Sequence, residues 1–155
     1  MSETTDPSDQ PKPTVAQVFG EITWVLSQSR YHKHFSLGDL EWLVMPAILA
    51  TQFRVFHAGV APVGFGIWAY LSPEIEARVQ AQVESGVGAR LRPEDWKSGD
   101  RLWLIELVVL DHPDRDNVTT AMLTDLAKNV FPGQRLKLFA ADPLTGRREV
   151  KEIGA

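Results

Sequence analysis

The sequence predicts an α+β fold, with helices packed on a mostly antiparallel sheet. Three observations predict it. Apolar residues recur at helical spacing over residues 14–28. Two strand-like runs, 53–58 and 62–71, are separated only by a short Gly-containing turn, which permits only antiparallel pairing. Further on, strand-like and helix-like segments follow one another in the order ααββα-β-αββ, which suits helices laid on a sheet.

The first helix spans 14–28. Thr14 can cap it, and Val15, Val18, Phe19, Ile22, Val25 and Leu26 share one face. Trp24 points the other way, either towards another subunit or partly into solvent. Ser36 followed by Asp39 has the spacing of a capping box and opens a second helix. Pro46 ends or kinks that helix, because it lacks an N–H and clashes one turn back.

Phe53 to Ala58 and Pro62 to Leu71 are strands joined at Gly59. Gly64 and Gly66 lie on one face of the second, where glycine marks a close backbone approach or a bulge. Ser72-Pro73-Glu74 starts a helix, with Ser as cap and Pro at the first helical position. Ile75, Val79 and Val83 carry it towards Gly86. A strand at 102–110, a helix near 117–130 and a strand at 134–140 come next. Asp142-Pro143-Leu144-Thr145-Gly146 is a turn, and a last strand runs over 147–152.

Composition narrows the function. A chain of 155 residues with 44% hydrophobic and 23% charged residues is expected to be a soluble domain at 14–155. The leader at 1–13 is Ser/Thr/Asp/Pro-rich, lacks the pattern of a signal peptide and is expected to be disordered. No apolar run reaches the ~20 residues a membrane span requires. Net charge is −4, which argues against a nucleic-acid binder needing a basic face. The absence of Cys excludes disulfides and thiol nucleophiles, and fits a reducing cytoplasm. His32, His34, His57 and His112 have no metal-binding spacing, so no metal is expected.

The chemistry concentrates at two places. His32 follows the first helix, flanked by Arg30, Tyr31, Lys33 and His34. Imidazole titrates near neutrality and can take a proton from an attacking amine, although a His at a helix end more often just answers the dipole. Ser29, three residues earlier, shares a helix face with His32 if the helix persists that far. It can then orient the imidazole or touch an acyl carbonyl. Glu106 is a lone carboxylate within an apolar strand, so it faces solvent or has a partner. Strict alternation places Leu104, Glu106 and Val108 on one side.

Five segments, in order, carry a resemblance. They are Gly20-Glu21-Ile22-Thr23-Trp24-Val25-Leu26, Ser29-Arg30-Tyr31-His32, Met45-Pro46-Ala47-Ile48, Ile67-Trp68-Ala69-Tyr70-Leu71-Ser72 and Asp95-Trp96-Lys97-Ser98-Gly99-Asp100-Arg101-Leu102-Trp103. Together they resemble the RTX-toxin-activating lysine acyltransferases, the haemolysin-activating family, over roughly residues 17 to 143. The resemblance implies a GNAT-like acyltransferase fold. It also implies transfer of a fatty-acyl group from the phosphopantetheine arm of acyl carrier protein to internal lysines of an RTX-type protoxin, without a resident cofactor. His32 stands where the family has its essential histidine, and Glu106 where it has a catalytic aspartate.

Asp100 and Arg101 match the family's G-D-R, as an ion pair, a loop clamp or substrate-positioning residues. Trp96 and Trp103 read as core anchors. Arg30 and Lys33 are the candidate docking cations for an acidic donor. Backbone N–H groups near Gly64 and Gly66, or in the loop at 95–101, are candidates for holding an oxyanion.

The sequence departs from the family in three places. Glu106 replaces Asp, Val109-Leu110-Asp111-His112-Pro113-Asp114 replaces A-P-F-G-D, and Ala140-Ala141 precedes Asp142-Pro143 where the family has an arginine. Two alternatives therefore stay open: an N-acyltransferase using acyl-CoA, and a non-catalytic scaffold that kept the fold. Glu84-Ser85-Gly86-Val87-Gly88-Ala89 contains Gly but lacks the basic residues and following helix of a pyrophosphate loop. A homodimer and a cytoplasmic location complete the expectations.

Deleting Met1 to Gln10 is expected to leave the melting temperature unchanged, because the segment has no apolar periodicity with which to pack. A drop of several degrees, roughly 1 kcal/mol or more, would show that the leader is docked.

Overall fold

The structure, a computed structural model, describes residues 12–141, 144–145 and 147–154. Most of the leader at 1–13 and most of the Asp142–Gly146 turn lie outside the described residues.

Helix α1 runs over Val15–Gln28. Thr14 accepts from the Gln17 N–H at 3.1 Å, and Gln17 Oε1 accepts from the Thr14 N–H at 2.7 Å, closing a capping box. Val18, Ile22, Val25 and Leu26 are buried, each contributing about 1.5–3 kcal/mol of gross apolar burial. Val15 and Trp24 stay half exposed, at 46% and 47%. Helix α2 is Asp39–Leu43, and α3 is Met45–Leu49. The break falls at Val44, just before Pro46, as proline chemistry requires. Ser36 and Asp39 bond reciprocally as expected, closing the turn that leads into α2.

Strand β1 is Phe53–Ala58 and β2 is Ala61–Leu71, paired antiparallel through a tight turn at Gly59-Val60. Ser72 caps α4, Pro73–Glu84, by accepting from the Ile75 N–H at 3.2 Å. A short 3-10 turn at Pro93–Trp96, within a stretch that reads as loop, leads to β3, Arg101–Val109. Helix α5, Arg115–Asp125, ends in a π-helical turn at Leu126–Val130. Strands β4, Leu136–Ala141, and β5, Arg148–Ile153, complete a sheet of order β1-β2-β3-β4-β5. Three neighbouring pairs are antiparallel, and β3–β4 is parallel. This is a GNAT-like arrangement.

One side of the sheet carries α1 to α4 over a cluster that includes Ile22, Val25, Phe65, Ile67, Trp96 and Trp103. The other side carries α5 over Trp68, Leu104, Leu126, Phe131 and Leu136. Trp96 and Trp103 are core anchors, at 2% and 0% exposure. Gly64 admits a close approach: a Cβ there would sit 2.6 Å from the Val108 carbonyl oxygen and 2.9 Å from Met122 Cε.

The parallel β3–β4 pairing is confined to Trp103↔Lys137 and Leu104↔Leu138. Beside those rungs lies a buried carboxylate. Glu76, on α4 and 5% exposed, accepts from Arg101 Nη1 at 2.5 Å and Trp103 Nε1 at 2.7 Å. It also accepts from Lys137 Nζ at 3.3 Å. Burial pushes its pKa up, but the hydrogen bonds from Trp103, Arg101 and Lys137, with the Lys137 charge, outweigh burial and hold it below the ordinary value of 4.5.

A carboxylate with a depressed folded pKa stabilises the fold above its unfolded pKa and loses that contribution as pH falls through the folded one. Stability should therefore decline as pH drops below about 4.5, and Glu76→Gln should flatten that part of the profile. At pH 7 the substitution should cost about 2–4 kcal/mol, because Trp103 and two cations lose a charged acceptor. Melting temperatures from pH 3 to 7 check both points. A Glu76→Gln profile parallel to wild type would show that another group carries the acid dependence.

Candidate active site

Helix α1 ends at Gln28, one residue short of Ser29, whose backbone is extended. The pairing of Ser29 with His32 therefore arises from a turn, and not from a continued helix. The N–H groups of His32 and Lys33 both donate to the Ser29 carbonyl, at 3.0 and 2.9 Å. The turn brings Ser29 Oγ within 2.8 Å of His32 Nδ1. Phe35 lies edge-on to the imidazole, with centroids 5.5 Å apart. The His32 side chain is 14% exposed.

Its other nitrogen faces β3. His32 Nε2 lies 3.6 Å from Glu106 Oε2, whose side chain is 27% exposed. That is an ion-pair distance, longer than a hydrogen bond. The meeting depends on an irregularity. Ile67 pairs with Glu106, but the next residue, Trp68, pairs with Leu104, so β3 carries one extra residue there. Strict alternation therefore fails. Leu104 packs on the α5 side, Val108 belongs to the helix-side cluster, and Glu106 reaches His32.

The remaining candidates sit as follows. Arg101 clamps Glu76, while Asp100 is exposed and makes no ion pair among the described residues. Neither bonds to His32 or Glu106. Arg30 and Lys33 are exposed on either side of His32, with the Arg30 guanidinium 5.3 Å from the Tyr31 ring centroid. Gly64 and Gly66 are not oxyanion donors. They lie in a strand paired on both sides, and their open faces meet Met122 and Leu126 on the α5 side, away from His32. In the loop at 95–101 the Gly99 N–H is likewise committed. Gly99 N–H donates to the Tyr70 carbonyl at 3.0 Å, and a Cβ at Gly99 would lie 2.5 Å from the Leu71 oxygen.

The other histidines act separately. His57 Nε2 pairs with Glu21 at 2.7 Å, and His112 Nδ1 accepts from the Asp114 N–H at 3.0 Å. Among the described residues, no group of three or more His, Cys, Asp or Glu could hold a metal ion.

The arrangement can take up a proton: an imidazole is oriented by a hydroxyl at one nitrogen and faced by a carboxylate at the other. With Nδ1 engaged by Ser29, the nitrogen open to accept a proton is Nε2. That requires the tautomer with hydrogen on Nδ1, which Ser29 Oγ can accept.

The chain belongs to the RTX toxin acyltransferase family, whose model matches residues 12–153. It is 30% identical over 137 residues to a protein-lysine myristoyltransferase HlyC of Escherichia coli, covering 88% of this chain and 74% of that one. It is 31% identical over 127 residues to the RTX-I toxin-activating lysine-acyltransferase ApxIC of Actinobacillus pleuropneumoniae, covering 82% of this chain and 67% of the relative. A leukotoxin-activating lysine-acyltransferase LktC of Mannheimia haemolytica is 35% identical over 91 residues, 59% of this chain and 52% of its own.

Proposed function

We propose that this protein moves a fatty-acyl group from acyl carrier protein to lysine ε-amines of an RTX-type protoxin. The observation that carries this reading is the Ser29–His32–Glu106 constellation in a chain of the RTX toxin acyltransferase family.

A lysine amine, with pKa about 10.4, is protonated at neutral pH and must lose a proton to become a nucleophile. The ammonium releases one proton to solvent; as the free amine attacks, a C–N bond forms at the thioester carbonyl, His32 Nε2 accepts a second proton from that nitrogen, and the C–S bond breaks. The imidazolium returns the proton to the departing thiolate. Glu106 stabilises the imidazolium. Two unit charges 4 Å apart at an effective dielectric of ~20 interact by about 4 kcal/mol, and even a screened fraction of that is worth tenfold in rate. A covalent acyl-enzyme on Ser29 or His32 is the competing route.

Arg30 and Lys33 are the cations exposed beside His32, and they suit an acidic carrier surface. The reading includes work in the cytoplasm, where a charged carrier would be met. Trp24, 47% exposed on α1, suits a homodimer contact. Among the described residues, no helix is long and apolar enough to cross a membrane.

The test is intact-mass spectrometry of a protoxin incubated with the enzyme and acyl carrier protein charged with a fatty acid. His32→Ala should abolish transfer with little change in melting temperature; transfer within threefold of wild type would remove His32 from the mechanism. Glu106→Gln keeps the shape, removes the charge and should cost at least tenfold, about 1.4 kcal/mol of barrier. Glu106→Asp should cost less. Full activity in Glu106→Gln would defeat the electrostatic role, and a wild type inactive with every acyl donor would favour the scaffold reading.

Reversing the charge of Arg30 and Lys33 together should weaken carrier binding and flatten its salt dependence. Unchanged binding, or equal use of acyl-CoA, would count against carrier docking at that position.

A further inference from the structure

A second basic feature stands apart from His32, and no motif points to it. A cavity of about 340 Å³ opens between α2, α4 and the segment before the 3-10 turn. Trp42, Leu91 and Pro93 give it an apolar lining, and Arg78, Arg90 and Arg92 surround it. Leu91 is buried at 3%, while Arg90 and Arg92 on either side of it are exposed and both line the cavity. Three guanidinium groups around one cavity are unusual in a chain of net charge −4.

The three are not equally available. Arg78 is paired with the buried carboxylate of Asp95. Arg90 lies over Trp42, with its guanidinium carbon 4.6 Å from the ring centroid. Neither Arg90 nor Arg92 has a salt-bridge partner among the described residues. Asp39 is near enough to feel the Arg90 charge, but its oxygens already accept from the Ser36 N–H at 2.8 Å and Trp42 Nε1 at 3.3 Å. Two guanidinium groups without a salt bridge among the described residues, one of them supported on an aromatic ring, fit an oxyanion of more than one acceptor oxygen.

The cavity also lies within reach of the catalytic candidates through packed rings. The Trp42 ring lies 6.4 Å from Phe35, and Phe35 lies 5.5 Å from His32. A track of aromatic contacts thus runs from Arg90 to the imidazole. A ligand that spans it needs an anion at one end, a neutral flexible tether, and a reacting group at the other.

We infer that Arg90, over Trp42, and Arg92, on the same cavity, bind the phosphate of the pantetheine arm that delivers the acyl group. This rests on the acyl-transfer reading above. The phosphate is shared by two sources, a carrier-protein phosphodiester and the pyrophosphate of coenzyme A. An acyl-pantetheine has the same tether and thioester without it.

The experiment measures kcat/KM for acyl carrier protein, acyl-CoA and acyl-pantetheine in wild type, Arg92→Gln and Arg90→Gln/Arg92→Gln, with melting temperatures as a folding control. The preference for phosphate-bearing donors over acyl-pantetheine should fall at least tenfold in the double variant, as a rise in donor KM. Arg92 has no ion-pair partner to lose, so the single variant should fold and show part of the effect. An unchanged preference overturns the assignment. So does a rise in the acceptor-protein KM, which would place an acidic segment of the acceptor in the cavity. Transfer from acyl-CoA alone would change the carrier proposed above and leave the phosphate site standing. If wild type transfers from no donor, calorimetric titration with 4′-phosphopantetheine decides the cavity by itself. Saturable binding lost in Arg92→Gln supports the site, and no binding to wild type removes it.

Discussion

A carboxylate buried beneath α4 determines where the sheet holds together and where it opens. Glu76 gathers donors from three places: Arg101 at the start of β3, Trp103 two residues on, and Lys137 on β4. Trp103 and Lys137 are also register partners in one of the two rungs that join β3 to β4. Trp103 further stacks on Phe139, with ring centroids 4.9 Å apart. A parallel pair of two rungs has little intrinsic strength. It persists here because parting the strands would pull Lys137 on β4 from a buried charge that Arg101 and Trp103 hold on β3, and a buried charge that loses a cationic partner is costly. The G-D-R portion of the family motif thus has a structural purpose in this chain through Arg101.

Beyond those rungs β3 pairs with no other strand on its β4 side among the described residues, and Glu106 comes just past them. Glu106 lies two positions after Leu104, the last residue paired with β4. On its other side, β3 carries an extra residue against β2 between Glu106 and Leu104. A bulge turns side chains relative to the pleat. Here it lets the strand keep Leu104 on the α5 side while Glu106 meets an imidazole contributed by the helical side. A regular strand with Leu104 and Glu106 on one face would have set that carboxylate on the apolar α5 side, among Trp68, Leu126 and Phe131 and away from His32.

Much of this was legible in the sequence, and the failures have identifiable causes. Helical periodicity located α1, proline chemistry located the α2–α3 break, and the Ser72-Pro73 pair located the start of α4. Five spaced segments carried the family. The alternation around Glu106 misled, because a bulge has no local signature when every neighbour is apolar. The Ser29–His32 contact was anticipated through a continued helix, whereas a turn makes it, since a three-residue separation is compatible with both. Glu76 was missed although a signal existed: it falls three and seven residues before Val79 and Val83, on the buried stripe of α4. A charged residue at such a position points to a partner elsewhere, but the partners come from β3 and β4, which no local reading joins. The arginine cavity was invisible for a similar reason. Trp42 and Arg90 are far apart in sequence, and only packing lays one over the other.

The glutamate at 106 is best understood as a matter of reach. With this backbone, Oε2 stands 3.6 Å from His32 Nε2. Removing one methylene would withdraw the carboxylate by roughly 1.5 Å, the length of a carbon–carbon bond. The Coulomb attraction to an imidazolium varies inversely with distance, so it would weaken by about a third and still exceed the ~1.4 kcal/mol that matters for a tenfold rate. Contact geometry is less forgiving, because it fails within a fraction of an ångström. A site that uses the carboxylate as a charge tolerates either acid, whereas one that uses it as a hydrogen-bond partner does not. The separation seen here exceeds a hydrogen bond while remaining close for an ion pair. That separation suits an electrostatic part for Glu106 in the proposed transfer, and a part of that kind tolerates either acid.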